Sequence, residues 1–278
     1  MSDLSYLQAV TIGALQGVTE LFPVSSLGHS VLVPAWIGGS WEHLVTESAS
    51  ADSGASPYLA FVVALHVATA LALVVYFRRD WAAIVRALST TLRTRTVRTS
   101  TERLAWLLVV GTIPVGLTGL ALEGTFRTVF AKPVAAAAFL TLNGVILLAG
   151  ERLRRGAEAR AALAGTREAG LSAGPGAATE ADVHGRGARR LDTLGYREAG
   201  IIGLFQTSAL LAGISRSGVT MVGGLLRGLD HEDAAKFSFL LATPVILAAG
   251  LFKLPSLAGA AGDHIHGQVL AGFLAAGA

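Results

Sequence analysis

Two apolar stretches of this chain are each interrupted midway, and each interruption carries groups that a bilayer rejects. The first runs from Leu4 to Trp36 and holds Q-G-V-T-E-L-F-P-V-S-S-L-G-H at residues 16–29. The second runs from Ala199 to Leu226 and holds A-G-I-S-R-S-G at residues 212–218. Glu20 is the only acid between Asp3 and Glu42, and Arg216 is the only charge between Glu198 and Arg227. A carboxylate at the bilayer centre costs roughly 2.5–3.5 kcal/mol on insertion scales unless it faces a cavity or a partner. Pro23, Gly28, Gly213 and Gly218 break or loosen any helix through these stretches. Broken backbone at that depth persists only where it is buried in protein or lines a water-filled pocket. Both stretches therefore read as polar sites sunk into a membrane, not as plain spanning helices.

The remainder of the chain agrees. Soluble domains are about a quarter charged, whereas this one is 15% charged and 52% hydrophobic over 278 residues. Residues 58–77, 104–122, 133–150 and 237–252 are further apolar runs, most of them long enough for a hydrocarbon core of ~30 Å. The expected class is all-α: a polytopic membrane protein with spanning helices plus re-entrant broken segments. The opening M-S-D-L-S lacks the basic region of a cleavable signal, so the first apolar segment is expected to stay. Cysteine is absent, which excludes disulfides, thiolate metal sites and cysteine nucleophiles. The net charge of +3 is no sign of nucleic-acid binding, because the arginines gather in two loops. Residues 78–103 carry seven arginines, and 151–198 carry nine beside seven acids. Positive-inside bias makes both cytoplasmic. Two spans separate them, so they fall on one side. The Ser-rich acidic stretch 38–57, the turn 123–132 and the stretch 255–267 read as loops. The last run, 268–278, covers about half a bilayer, so the sequence is expected to end within a span.

Three units follow: residues 1–150, a polar Arg/Ala/Gly-rich cytoplasmic linker at 151–198, and residues 199–278, short at its C-terminal end. The first and third are copies of one unit. An offset of 190 places Gly13 over Gly203, Gln16 over Gln206, Ser25 over Ser215 and Gly28 over Gly218 without gaps. Ser26 then meets Arg216, and Glu20 meets Leu210. Interrupted apolar segments at matching places in two halves point to a midplane site at a repeat interface. The odd number of spans between the copies turns the second over, giving an inverted repeat.

The chemistry lies in the interruptions. Arginine stays protonated, and its planar fork matches phosphate oxygens. Gly213 and Gly218 let the backbone aim N–H groups at an anion, and a helix beginning near Val219 adds positive potential. With Ser215 and Ser217 this makes a phosphate-binding loop. Arg216 could instead pair with Glu20 and hold the halves together, and the two readings are compatible. Gln16 and Glu20 lie four apart on one helix face. They could hold a hard divalent cation, Mg²⁺ or Ca²⁺, or Glu20 could act as a general base. Ser25, Ser26 and His29 form a hydroxyl-and-imidazole cluster suited to a nucleophile and its base. One serine is also expected to cap a helix starting near Leu27. His66, an ionisable group inside a span, is a site candidate by default, but a bundle-facing bond to Thr69 or a carbonyl is the favoured reading. Asn143 and Gln206 read as polar glue between helices.

These motifs resemble those of the bacterial undecaprenyl pyrophosphate phosphatase family associated with bacitracin resistance. Q-G-V-T-E-L-F-P-V-S-S-L-G-H is similar to that family's (E/Q)-x-x-x-E plus P-V-S-S-x-G-H, and G-I-S-R-S-G to its P-G-x-S-R-S-G. G-T-I-P at 111–114 and L-R-G-L-D…F-S-F-L-L-A-T-P at 226–244 add to the match. Ala212 stands where the family has Pro and Leu27 where Thr is common. The resemblance implies hydrolysis of undecaprenyl diphosphate to the monophosphate in the cytoplasmic membrane, recycling the cell-wall carrier lipid. It also implies divalent-metal dependence and a site open to the outer face. The implied site is Gln16, Glu20, Ser25, Ser26, His29 and Arg216, with Ser215 and Ser217 near the phosphate. Ser26 is the first choice of nucleophile, assisted by Glu20 or His29; His29 itself and a metal-activated water are competitors. Substrate and membrane lipid are the expected partners, and homodimerisation is left open. The rival class is a secondary transporter or flippase that binds the phosphorylated lipid as cargo.

Overall fold

A computed structural model describes residues 4–50, 57–122, 132–172, 190–257 and 265–278. Its described residues contain no strand. Among the described residues eleven α-helices follow in order: α1 (Tyr6–Leu21), α2 (Ser26–Ile37), α3 (Ser40–Ser50), α4 (Pro57–Tyr76), α5 (Arg78–Thr94), α6 (Ser100–Ala121), α7 (Pro133–Ser172), α8 (Tyr196–Thr207), α9 (Arg216–Leu225), α10 (His231–Leu257) and α11 (His266–Gly277). Stretches Pro57–Tyr76, Ser100–Ala121, Pro133–Arg160 and His231–Phe252 are long and apolar enough to cross a membrane. Large apolar side chains such as Leu117, Leu120, Val145, Leu148, Leu251 and Phe252 face outward, as a lipid solvent allows. The chain is an all-α polytopic membrane protein.

Three stretches read from sequence as loops contain helix. Residues 40–50 form α3 because Leu44 and Val45 make a buried stripe in an otherwise polar segment. Residues 78–94 form α5: Ile84, Ala87 and Thr91 recur every three to four residues and pack inward, while Arg78, Arg79, Arg86 and Arg93 face outward. The linker expected from Glu151 does not begin as a loop, since α7 continues to Ser172. Arg154 and Arg155 pair with Glu151 at 2.9 and 2.6 Å, and Arg154 also pairs with Glu158. Such i,i+3 and i,i+4 pairs support helix among good helix formers. The rest of that linker at 173–189, most of the turn 123–132 and residues 258–264 lie outside the described residues.

The two copies share helices across their boundary. Helix α1 packs most heavily on α11, and α8 on α6. Each of these contacts is a glycine crossing. A Cβ on Gly13 would collide with the Gly272 carbonyl, and one on Gly203 with the Gly111 carbonyl. Gly13 and Gly203 are mates under the 190-residue offset. Close backbone approach through small residues is how helices gain packing energy where water gives no driving force. One buried cluster accordingly mixes α1–α4 with α11, and a second mixes α5 and α6 with α8–α10. Helices α4 and α10 pack together, with Ala70, Ala242 and Ile246 buried between them.

Candidate active site

The two interruptions fold as short helix starts that meet each other. Ser25 caps α2, its hydroxyl accepting from the Gly28 N–H at 3.3 Å; Ser215 caps α9 in the same way, accepting from Gly218 at 3.1 Å. The matched serines thus do matched work, and Ser26 and Arg216 each occupy the first helical position. Ser25 adopts φ 64°, and Gly213 φ 112°. The first is unusual for a residue with a Cβ and is a local strain of the kind that collects at functional sites. The contacts between the loops are reciprocal. A Cβ on Gly28 would lie 2.9 Å from the Gly213 Cα, and one on Gly218 3.3 Å from the Pro23 Cβ. Under the offset, Pro23 and Gly213 are mates, as are Gly28 and Gly218. Asn143 of α7 fastens both loops at once. Its Nδ2 donates to the Pro23 carbonyl at 3.1 Å, and its Oδ1 accepts from the Ser215 N–H at 2.9 Å.

A cavity of ≈140 Å³ lies between the loops. Its lining includes Glu20, Ser25, Ser26, His66, Gln206, Ser215, Arg216 and Ser217. Glu20 is the hub. Its Oε1 is ion-paired with an Arg216 Nη2. Its Oε2 accepts from Ser26 Oγ at 2.5 Å and from Gln16 Nε2 at 3.2 Å. The two charges that stood alone in sequence therefore neutralise each other, which their burial demands. Arg216 Nε has no partner, so one guanidinium donor is left for a ligand. Ser215 and Ser217 bond each other at 3.0 Å beside it.

The structure separates the two histidines. His66 reaches a carbonyl, as sequence suggests, but its far side enters the site. Its Nδ1 lies 2.8 Å from the Val62 carbonyl, and its Nε2 lies 3.2 Å from Ser26 Oγ and 3.6 Å from Glu20 Oε2. A carbonyl only accepts, so Nδ1 carries a proton; the single Ser26 proton goes to Glu20, and Nε2 lies against the Ser26 oxygen. An ionisable side chain inside a span signals a site, and the less favoured of the two sequence readings is the one that places His66 at the cavity. His29 is not among the residues lining the cavity; its Nδ1 turns back to the Ser25 carbonyl at 2.8 Å. Gln206 is not the interhelical glue expected of it: it is fully buried, lines the cavity and has no hydrogen-bond partner on either side-chain atom. Gly213 and Gly218 act through loop geometry and do not line the cavity.

Fold and site together define a polytopic membrane protein with a buried cavity lined by a hydroxyl bonded to a carboxylate and by an arginine. Residues 9–278 match the family described as bacitracin resistance protein BacA, and the chain belongs to that family. It is 64% identical to undecaprenyl-diphosphatase 2 of Frankia alni, over all of this chain and 88% of that protein. It is 58% identical to undecaprenyl-diphosphatase of Mycolicibacterium paratuberculosis, over 99% of this chain and 86% of that one. With undecaprenyl-diphosphatase 1 of Frankia casuarinae it shares 48% identity, over 100% and 89%.

Proposed function

We propose that this chain is a membrane lipid diphosphatase that hydrolyses undecaprenyl diphosphate to undecaprenyl phosphate and phosphate. That reaction recycles the carrier lipid of cell-wall synthesis and confers the bacitracin resistance for which the family is named. The observation that carries the reading is the convergence of Ser26, Glu20, His66 and Arg216 on one buried cavity.

Ser26 is the attacking group. Its O–H already points at Glu20 Oε2, and His66 Nε2 lies 3.2 Å from the same oxygen. As Oγ bonds to the terminal phosphorus, its proton passes to Glu20. The bond from that phosphorus to the bridging oxygen breaks, and the electron pair leaves with the lipid monophosphate. Water then cleaves the phosphoserine, releases phosphate and restores the Ser26 proton. Arg216, its fork held by Glu20 and its Nε free, neutralises charge on the phosphoryl oxygens; this is the main need in phosphoryl transfer. The N-termini of α2 and α9 add N–H groups and positive potential. A divalent cation would be held at Glu20; Gln16 is not among the residues lining the cavity, and it turns Nε2, not its unpartnered Oε1, to the Glu20 carboxylate. When bound, it would offset the negative charge of the diphosphate.

The protein sits in the bacterial cytoplasmic membrane, with the arginines of α5 and the α7 extension on the cytoplasmic side and the cavity open toward the outer face. The matched caps and reciprocal glycine contacts support an inverted repeat, in which each re-entrant interruption supplies half of the pocket. Phosphate release from undecaprenyl diphosphate by the detergent-purified protein, with and without EDTA, tests the reading. Release that stops with EDTA, returns with Mg²⁺ or Ca²⁺, and falls roughly 10³-fold or more in Ser26→Ala is expected for a nucleophile acting with its base. A transporter would release no phosphate.

A further inference from the structure

Gln206 is the mate of Gln16, and the two amides live differently. Gln16 donates to Glu20, one turn further along the same helix. The residue in the place of Glu20 in the second copy is Leu210, so Gln206 has nothing equivalent to bond. It is fully buried on the cavity wall with both Nε2 and Oε1 unpartnered. Burying an amide without a partner is costly, and a leucine or methionine there would avoid the cost. Each such group in a folded protein calls for a reason. The other polar side chains of the wall are engaged with one another or the backbone: Thr19 with the Leu15 carbonyl, Ser25 with Gly28, Ser215 with Ser217, and Ser26 and His66 around Glu20; Arg216 is paired with Glu20 and keeps only its Nε for the terminal phosphoryl group.

We propose that Gln206 is the binding residue for the second phosphate of the substrate, the one that stays on the lipid. This rests on the diphosphatase reading. Attack by Ser26 fixes the terminal phosphoryl group between Ser26 and Arg216. The lipid-linked phosphate then occupies the rest of the cavity, where Gln206 Nε2 is the free donor. A neutral amide suits that place. It recognises the second phosphate without adding a charge that would hold the monophosphate product after cleavage.

The test uses the full chain in detergent, with farnesyl diphosphate as substrate and orthophosphate as competitive inhibitor. In Gln206→Met, KM for the diphosphate should rise roughly tenfold or more, the worth of a hydrogen bond to a charged acceptor. The Ki of orthophosphate, which needs only the Arg216 side, should stay at the wild-type value. The melting temperature should hold or rise, because an unsatisfied buried amide has been removed. Gln206→Glu, which keeps the shape and sets a carboxylate against the phosphate, should raise KM further with the same unchanged Ki. An unchanged KM in both variants, or a KM and Ki that rise together, overturns the assignment. A lowered melting temperature with unchanged KM overturns it too, in favour of a structural role. Wild-type protein that releases no phosphate overturns the underlying function, whereas active wild type with unaltered variants sinks the Gln206 assignment alone.

Discussion

The two interruptions are the same device built twice and used for opposite chemistry. Both cap a short helix with a serine whose hydroxyl accepts from a glycine three residues on. Each presses a glycine against the other loop, and both hang from Asn143. The first helical position differs: Ser26 in one, Arg216 in the other. Six residues earlier, Glu20 is matched by Leu210 under the same offset. In the proposed mechanism the first copy therefore handles the proton and the attacking oxygen, and the second handles negative charge. A repeat lets one backbone solution position two unlike side chains across a cavity, because reciprocal contacts fix their separation whatever they carry.

If the second copy is purely the anion side, its arginine must act as a fork and not only as a charge. Arg216→Lys keeps the charge and can still approach Glu20, but loses the planar set of donors. Turnover should fall roughly 10²–10³-fold, the range seen when one preorganised donor is lost from a developing oxyanion. Phosphate-release kinetics check this, and near-normal turnover would break the division of labour between the copies.

Much of that division is readable from the letters. A charge in an apolar run is too costly to be incidental, so Glu20 and Arg216 stand out, and their pairing follows from the absence of other partners. The spans are readable because length and hydropathy are local properties. His66 was misjudged for a physical reason: in a 20-residue apolar helix, sequence does not say which face turns toward Ser26, forty positions away. The exchange of α6 and α11 between the copies is likewise invisible, since it depends on glycine crossings between distant segments. Helices α3 and α5 were hidden because polar composition masks a single buried stripe. Gln206 looked like glue because an amide among apolar residues usually finds a neighbour, and only packing reveals that this one does not.

The reciprocal glycine contacts are similar but not equal, and substitution should expose the difference. A methyl group on Gly28 meets backbone, the Gly213 Cα at 2.9 Å, while one on Gly218 meets side chains at 3.2–3.3 Å that can shift. Gly28→Ala should cost about 1–3 kcal/mol in stability, the usual range for overpacking, and should spread the cavity and slow turnover. Gly218→Ala should cost less on both counts. Thermal unfolding in detergent with parallel assays would measure the pair; equal penalties would mean that the two loops are not held by these contacts.

Asn143 is shared by both copies, so its loss should hurt both alike. Asn143→Ala removes bonds to the Pro23 carbonyl and the Ser215 N–H and leaves both groups without a partner, a loss of about 2 kcal/mol. Asn143→Asp keeps the acceptor for Ser215 but sets a buried carboxylate oxygen against the Pro23 carbonyl, so its melting temperature should fall at least as far as that of alanine. An aspartate variant as stable as wild type would show that this anchor does not hold the first loop.

The smallest effect tests how far the proton chemistry of the first copy extends beyond its own motif. His66 comes from α4, outside both interruptions, and its Nε2 is farther from Ser26 than the Glu20 oxygen, 3.2 against 2.5 Å. Glu20 is therefore the primary acceptor and His66 a helper. Removing a helper should cost less than the 10²–10⁴-fold assigned to a sole general base, about tenfold in His66→Gln. The glutamine keeps hydrogen-bonding ability near Ser26 but accepts a proton far less readily, so KM should hold while kcat falls. If His66→Gln abolishes turnover as completely as Ser26→Ala does, the roles are reversed: the imidazole takes the proton, and Glu20 serves chiefly to hold Arg216 in place.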